Sequence, residues 1–267
     1  MTLVAGIDMG SRSAKCVLIE GDAIVGTGLA RMKPDFAGLA NDVLELALAK
    51  AGRQPDDVAY IATTGLGRYN VPHRDIQITD ITCVARGAAH LFPGTRSVID
   101  IGAQTTRAMR VQSGGHVVEF RSNDKCAAGA GGFAERAARY LEVTLDDLGD
   151  LSLQADGAET FTSVCAVFAE SEIINLVTAG TSIPNIVRGI HNSLSEKAFQ
   201  LLKRVGLEAE LTFVGGMALQ KGQVRSLEEA LGVPVNVSAD PDLVAALGAA
   251  LLGRQRYEGR AQQETAA

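Results

Sequence analysis

Three glycine-cornered turns carry the residue types that could do chemistry in this chain. Asp8-x-Gly10 closes the segment VAGIDMG, and Asp100-x-Gly102 closes SVIDIG. Glycine lets the backbone turn sharply and aim N–H groups at phosphate oxygens, while an Asp at a strand end can hold a magnesium ion or its waters. Ser11, Arg12, Ser13 and Lys15 add hydroxyl and cationic donors to the first turn. Ala103, Gln104, Thr105 and Thr106 follow the second, where Gln104 is the candidate to orient an attacking water. The third turn lies in FVGGMA and places Gly215, Gly216 and Met217 between a strand and a helix, which suits close approach of a purine and ribose. One Asp-x-Gly is an ordinary turn. Two copies in matching hairpins, with the double glycine, point to a nucleotide site with Asp8, Asp100 and Gln104 as its catalytic residues.

The four cysteines are not equivalent. Cys16 in KCVLI and Cys83 in ITCVARGA read as small core thiols. Cys126 in NDKCAAGAGGF and Cys165 in TSVCAVFAESE are expected at helix N-termini, where the dipole and free N–H groups lower a thiol pKa and suit an anionic ligand set. No Cys-x-x-Cys pair announces a metal, so spacing leaves structural thiols, a disulfide, a zinc staple and a cluster all open. A four-iron four-sulfur cluster takes four thiolates, and two per chain would complete it across a two-fold dimer.

Composition narrows the classes. The 267 residues are 46% hydrophobic and 21% charged, an ordinary globular balance that supports a core without disulfide or metal staples. The net charge is −6 with Lys and Arg scattered, so no nucleic-acid partner is expected. The longest apolar stretch near the end, Leu243 to Gly253, falls short of the roughly 20 residues of a bilayer span. Asp8 interrupts what would be the apolar centre of a signal peptide, so a cytoplasmic protein with reduced thiols is expected and no membrane partner.

Hydrophobic periodicity and turn signals set out the elements that must hold these residues. VAGIDMG, AKCVLIE and AIVGTGLA read as three hairpin strands, followed by a helix from Phe36 to Ala51 that Gly52 stops. VAYIATTG is a short buried strand, and Thr82 to Leu91 a helix. The opening pattern then returns: GIDMGSRSAKCVLI resembles VIDIGAQTTRAMRV, with Asp8 and Asp100 standing 92 residues apart. This internal duplication predicts two related lobes, 1–93 and 94–267, the last helix packing back on the first lobe. The second half is read as helices Gly132–Glu142, Ala166–Thr178, Ser182–Val205, Leu219–Leu231 and Asp242–Arg254, with strands LTFVGG and PVNVS. Pro184 fits only the first turn of its helix, and the polar stretch from Tyr257 is expected to fray. Glu170 and Glu172 are expected on a helix face or an interface, and His191 as a packed or capping residue.

The hairpins and VGGMA together resemble the acetate kinase, sugar kinase, Hsc70 and actin superfamily, an α/β fold of two ribonuclease H-like lobes that clamp ATP. That resemblance implies magnesium near Asp8 and Asp100 and adenosine near Gly215 and Gly216. With GIDMGSRSAK, ATTGLGR, VIDIGAQ, NDKCAAGAGGF, CAVFAESEIINL, VRGIH and TFVGGMA in order, the chain resembles the ATP-dependent activators of 2-hydroxyacyl-CoA dehydratases and the ATPase subunits of benzoyl-CoA reductase. The family implies an electron donor with ATP/ADP and Mg2+. It further implies a 4Fe-4S cluster held by Cys126 and Cys165 of two subunits, the chain itself or a paralogous ATPase subunit. Reduced ferredoxin or flavodoxin would load it, and an acyl-CoA reductase or dehydratase would receive the electron. Ala103 and Thr105 stand where activators commonly carry Gly and Asp, and Ala130 and Gly132 where Thr and Arg are common. ARYLEVTLDDLGDLSLQAD, GTSIPNIVRGIHNSLS and CVARGA resemble the benzoyl-CoA reductase ATPase subunits more closely. A small-molecule kinase and a nucleotide-dependent interaction module are the rival readings from the clamp alone.

Overall fold

The repeated Asp-x-Gly pattern becomes two five-stranded sheets of the same topology. The computed structural model describes residues 2–123, 130–161 and 166–265, and Cys126 and Cys165 both lie outside them. The chain forms two compact units: the described residues of Met1–Pro93, Ser113–Val117 and Leu243–Ala267 make the first, and those of Gly94–Gln112 and Val118–Asp242 the second.

In the first unit, β1 (Leu3–Met9) lies at the sheet centre, and every residue of it is buried. An unbroken apolar run is what a strand covered on both faces needs. It pairs antiparallel with β2 (Ser13–Glu20), which pairs with β3 (Ala23–Arg31), and parallel with β4 (Val58–Thr64), which is followed by a short β5 (Ile76–Gln77). Helix α1 (Phe36–Ala51) is capped by Asp35, whose carboxylate accepts from Gly38 N at 2.9 Å, and buries Leu39, Val43 and Ala47 against β1 and β2. The other face takes α8 (Val244–Thr265), whose Ala246, Leu247, Ala250 and Leu251 pack on Val4, Val17, Ile19 and Tyr60. Helix α2 (Asp80–Leu91), capped by the Thr79 hydroxyl, packs against α8.

In the second unit, β6 (Ser97–Ile101) is central, antiparallel to β7 (Thr106–Gln112) and parallel to β9 (Leu211–Val214). Strands β8 (His116–Asn123) and β10 (Val235–Asn236) form the edges, so the order β10-β9-β6-β7-β8 repeats β5-β4-β1-β2-β3 of the first sheet. Helices α3 (Gly131–Tyr140), α4 (Leu148–Leu153), α5 (Ala166–Thr178), α6 (Ile183–Val205) and α7 (Lys221–Leu231) supply the rest of this unit. Its core joins Ile99, Ile101, Phe133, Ile173, Ile190, Leu202 and Phe213. Pro184 does stand in the first turn of α6.

Three expectations are corrected. The chain beyond Tyr257 does not fray: α8 continues to Thr265, because Tyr257 packs on Tyr60 with ring centroids 5.9 Å apart and Arg254 binds Asp22 at 2.8 Å. The helix expected from Leu219 to Leu231 is interrupted, a 3-10 turn over Gly216–Leu219 giving way to α7 at Gln220, whose buried amide is held by partners outside the helix. Finally, α4 and β5 were absent from the periodicity, being too short to show it. No helix of the described residues is long and apolar enough to cross a membrane.

Candidate functional site

Each unit builds the same corner at the end of its central strand. Asp8 faces Lys15 across the β1–β2 pair, and Asp100 faces Arg107 across β6–β7. Lys15 Nζ donates to Asp8 Oδ2 at 3.3 Å, and an Arg107 guanidinium nitrogen donates to Asp100 Oδ2 at 3.4 Å. Both aspartates are only 7% exposed, which makes these ion pairs partly desolvated. A carboxylate buried this far is stabilised by its cation, and removing either partner leaves an uncompensated charge.

The parallel neighbour closes each corner with a glycine. Thr64 is the register partner of Asp8 and Val214 that of Asp100, and the next residues are Gly65 and Gly215. Their φ values are +84° and +89°, in the left-handed region. A Cβ at Gly65 would stand 2.4 Å from Asp8 Oδ1, and one at Gly215 would stand 2.5 Å from Asp100 Oδ1. Only glycine tolerates both the conformation and the approach. The first of these turns is tightened by Gly67 N donating to Met9 O at 2.9 Å and by Arg68 donating to Gly65 O at 2.9 Å.

The other residues singled out in the sequence fall around these corners. Gly10, Ser11 and Arg12 link β1 to β2, on which Ser13 and Lys15 stand, and a Cβ at Gly10 would meet Ser13 O at 3.0 Å and Lys15 Nζ at 3.3 Å. In the second unit Gly102, Ala103 and Gln104 link β6 to β7, with Gly102 N donating to Thr105 O at 2.9 Å and Gln104 exposed. Gly216 is exposed and Met217 buried, the latter against Gly131. Backbone N–H groups in each turn beside a carboxylate already flanked by a cation are groups that could hold a phosphate and a hydrated magnesium.

The sequence reading missed Gly65 and Arg107. Both carried a signal: Arg107 stands seven residues after Asp100 as Lys15 stands after Asp8, and Gly65 ends ATTG as Gly215 ends FVG. The duplication, extended one strand further, finds them.

The remaining cysteines are unsuited to ligation. Cys16 and Cys83 are fully buried; burial pushes the Cys16 thiol well above its ordinary range and the Cys83 thiol up to about 12. A metal ligand must be a thiolate, which these sites disfavour. Among the described residues, no group of three or more His, Cys, Asp and Glu side chains could hold a metal ion. His191 is a packed residue. Its Nε2 lies 2.8 Å from Gln220 Oε1, and Gln220 Nε2 donates to Leu145 O at 3.1 Å, so the Gln220 oxygen accepts and the imidazole proton sits on Nε2. Burial holds its pKa down at about 4.

Known proteins share this sequence and this architecture. The chain is 40% identical to the activator of lactoyl-CoA dehydratase of Anaerotignum propionicum, over 92% of this chain and 95% of that protein. It is 39% identical to a benzoyl-CoA reductase subunit of Thauera aromatica, over 97% of this chain and 95% of that protein. Among solved structures, the activator of the 2-hydroxyisocaproyl-CoA dehydratase from Clostridium difficile with bound ADPNP superimposes with a TM-score of 0.93 at 34% identity, covering 98% of both chains. The architecture is that of the actin/Hsc70-like ATPases. With residues 5–253 matched, the chain belongs to the BadF/BadG/BcrA/BcrD ATPase family.

Proposed function

We propose that this protein is an ATP-hydrolysing electron donor that activates a partner acyl-CoA dehydratase or reductase. The observation that carries the ATPase half is the repeated corner, an Asp beside a cation and under a positive-φ glycine, in both units. Gly10 to Ser13 with Lys15, and Gly102 with Ala103, grip phosphates; Asp8 and Asp100 manage magnesium; Gly215, Gly216 and Met217 approach the adenosine; Gln104 positions the attacking water. An ATP analogue bound to a relative 34% identical over nearly the whole chain supports this assignment.

Cys126 and Cys165 are the thiols left once Cys16 and Cys83 are assigned to the core, and in this reading they bind a 4Fe-4S cluster shared with a second subunit. When bound, the cluster supplies one-electron chemistry, loaded by a reduced ferredoxin or flavodoxin. The likeness to two dehydratase activators supports a 2-hydroxyacyl-CoA dehydratase as partner, and in this reading the second subunit is another copy of this chain. A second reading, as ATPase subunit of a benzoyl-CoA reductase beside a paralogue, is supported by the 39% identity to the Thauera aromatica protein over 97% of the chain.

Anaerobic purification followed by iron analysis and absorption spectroscopy tests the proposal. A brown protein with about four irons per dimer that hydrolyses ATP is the expected result. A protein that stays colourless and iron-free after reconstitution removes the electron-donor reading. ATP-dependent activation of a 2-hydroxyacyl-CoA dehydratase, set against reduction of benzoyl-CoA by a reductase, separates the two partners.

A further inference from the structure

The first turn of α3 is built onto both nucleotide turns of its unit. Gly131 N donates to Gly102 O at 2.8 Å and Gly132 N to Ala103 O at 2.7 Å. A Cβ at Gly131 would lie 3.1 Å from Gly102 O and 3.1 Å from Met217 Sδ, and one at Gly132 would lie 2.8 Å from Ala103 O. Two glycines in a helix cost stability, and here they are what lets the helix touch the loops with no space between. A shift of the Gly102–Ala103 turn must move α3 or break these two hydrogen bonds.

One turn later α3 is tied to α5 by a single carboxylate. Arg136 Nε donates to Glu170 Oε1 at 2.5 Å, and Tyr140 Oη donates to Glu170 Oε2 at 3.0 Å. Arg136 and Tyr140 stand four residues apart, hence on one face of α3. Both oxygens of Glu170 are therefore held from that face, which sets the rotation of α5 as well as its position. The Glu170 side chain is 17% exposed and that of Arg136 35%, so water screens the pair incompletely. Phe133, Ala134 and Ala137 of α3 and Ala169 and Ile173 of α5 also belong to one apolar core, and apolar contact is not directional.

We infer that Arg136 and Glu170, with Tyr140, form a latch that passes the nucleotide state of the second phosphate turn to helix α5. They are positioning residues, for none stands in a phosphate turn. The inference rests on the proposed function only for its consequence: α5 begins one residue after Cys165, and α3 begins five residues after Cys126. Occupancy of the turn around Gly102 thereby reaches the two helices that follow the proposed ligands in sequence.

Amide hydrogen exchange on the whole protein, with and without a non-hydrolysable ATP analogue and magnesium, tests this. In the native protein the nucleotide should slow exchange in both 97–112 and 166–178. In Glu170→Gln and Arg136→Met, protection of 97–112 should remain, while the response of 166–178 falls by about 2- to 30-fold. The exchanged pair Arg136→Glu with Glu170→Arg should restore it, a rescue that a merely structural role does not give. Tyr140→Phe removes one hydrogen bond from an exposed side chain and should weaken the response partially even if the charge variants fold poorly. An unchanged response of 166–178 in Glu170→Gln or Tyr140→Phe, or its absence from the native protein, overturns the latch. Iron content measured on the same samples keeps the two ideas apart. Iron-free protein with an intact response sinks the cluster and leaves the latch, and iron-loaded protein without a response does the reverse.

Discussion

Gly215 passes so close to Asp100 that a single added carbon would stand 2.5 Å from the carboxylate, and Gly65 bears the same relation to Asp8 at 2.4 Å. Each glycine holds a positive φ immediately after the strand parallel to the one bearing its aspartate. Gly65→Ala and Gly215→Ala should therefore displace the carboxylate as well as strain the turn. ATP hydrolysis should fall by about tenfold or more, from roughly 1–3 kcal/mol of backbone strain. Steady-state ATPase assays with a circular dichroism control check this, and unimpaired turnover in both variants would remove the glycines from the site.

The aspartates themselves should matter more. Asp8→Asn and Asp100→Asn keep the shape and remove the charge that offsets Lys15 or Arg107. By analogy with loss of one electrostatic group from a reacting centre, each should slow ATP hydrolysis by about two to three orders of magnitude. Titration with magnesium should show the loss as weaker metal dependence, and wild-type rates in either variant would contradict the assignment.

Replacement of cysteines divides the four into two pairs. Cys126→Ala and Cys165→Ala should abolish iron binding and leave nucleotide affinity intact. Cys16→Ala and Cys83→Ala should keep the iron and lower the melting temperature, since both thiols are buried. A cluster that survives loss of Cys126 or Cys165 would refute the ligand set.

His191 gives a pH signature. Its folded pKa is lowered to about 4 by burial, below the ordinary value of 6.5. Above pH 6.5 it is neutral in both states and its contribution to stability is complete. As the pH falls from 6.5 towards 4, the unfolded chain takes up a proton that the folded one refuses, and unfolding free energy drops by up to about 1.4 kcal/mol per pH unit. Urea titrations should show this slope in the native protein and a smaller one in His191→Gln. Equal slopes would mean that the imidazole is not held neutral.

Helix α8 should be intolerant at Gly248. A Cβ there would stand 1.7 Å from Cys83 O, so Gly248→Ala must separate α8 from α2. Overpacking of this kind costs about 1–3 kcal/mol or more, readable as a lowered urea midpoint.

Features that depend on neighbours along the chain were legible from residue order alone. Asp8-x-Gly10 and Asp100-x-Gly102 had to form turns, β1 had to be buried, and the echo of GIDMGSRSAK in VIDIGAQTTR announced two sheets of one design. Local propensity and period suffice for such features. The folded chain settled the rest, because folding joins residues far apart in sequence. Gly65 looked like an ordinary turn glycine until β4 brought it onto Asp8. Gln220 read as helical until His191 and Leu145 claimed its amide. The polar stretch after Tyr257 stays helical because an aromatic partner, Tyr60, waits 197 positions earlier on a different element. Glu170 read as a residue of a helix face or an interface, and it took the packing of α3 on α5 to turn it into the point where two helices meet. Contacts of that range have no period to read, and they appear only when the chain has closed on itself.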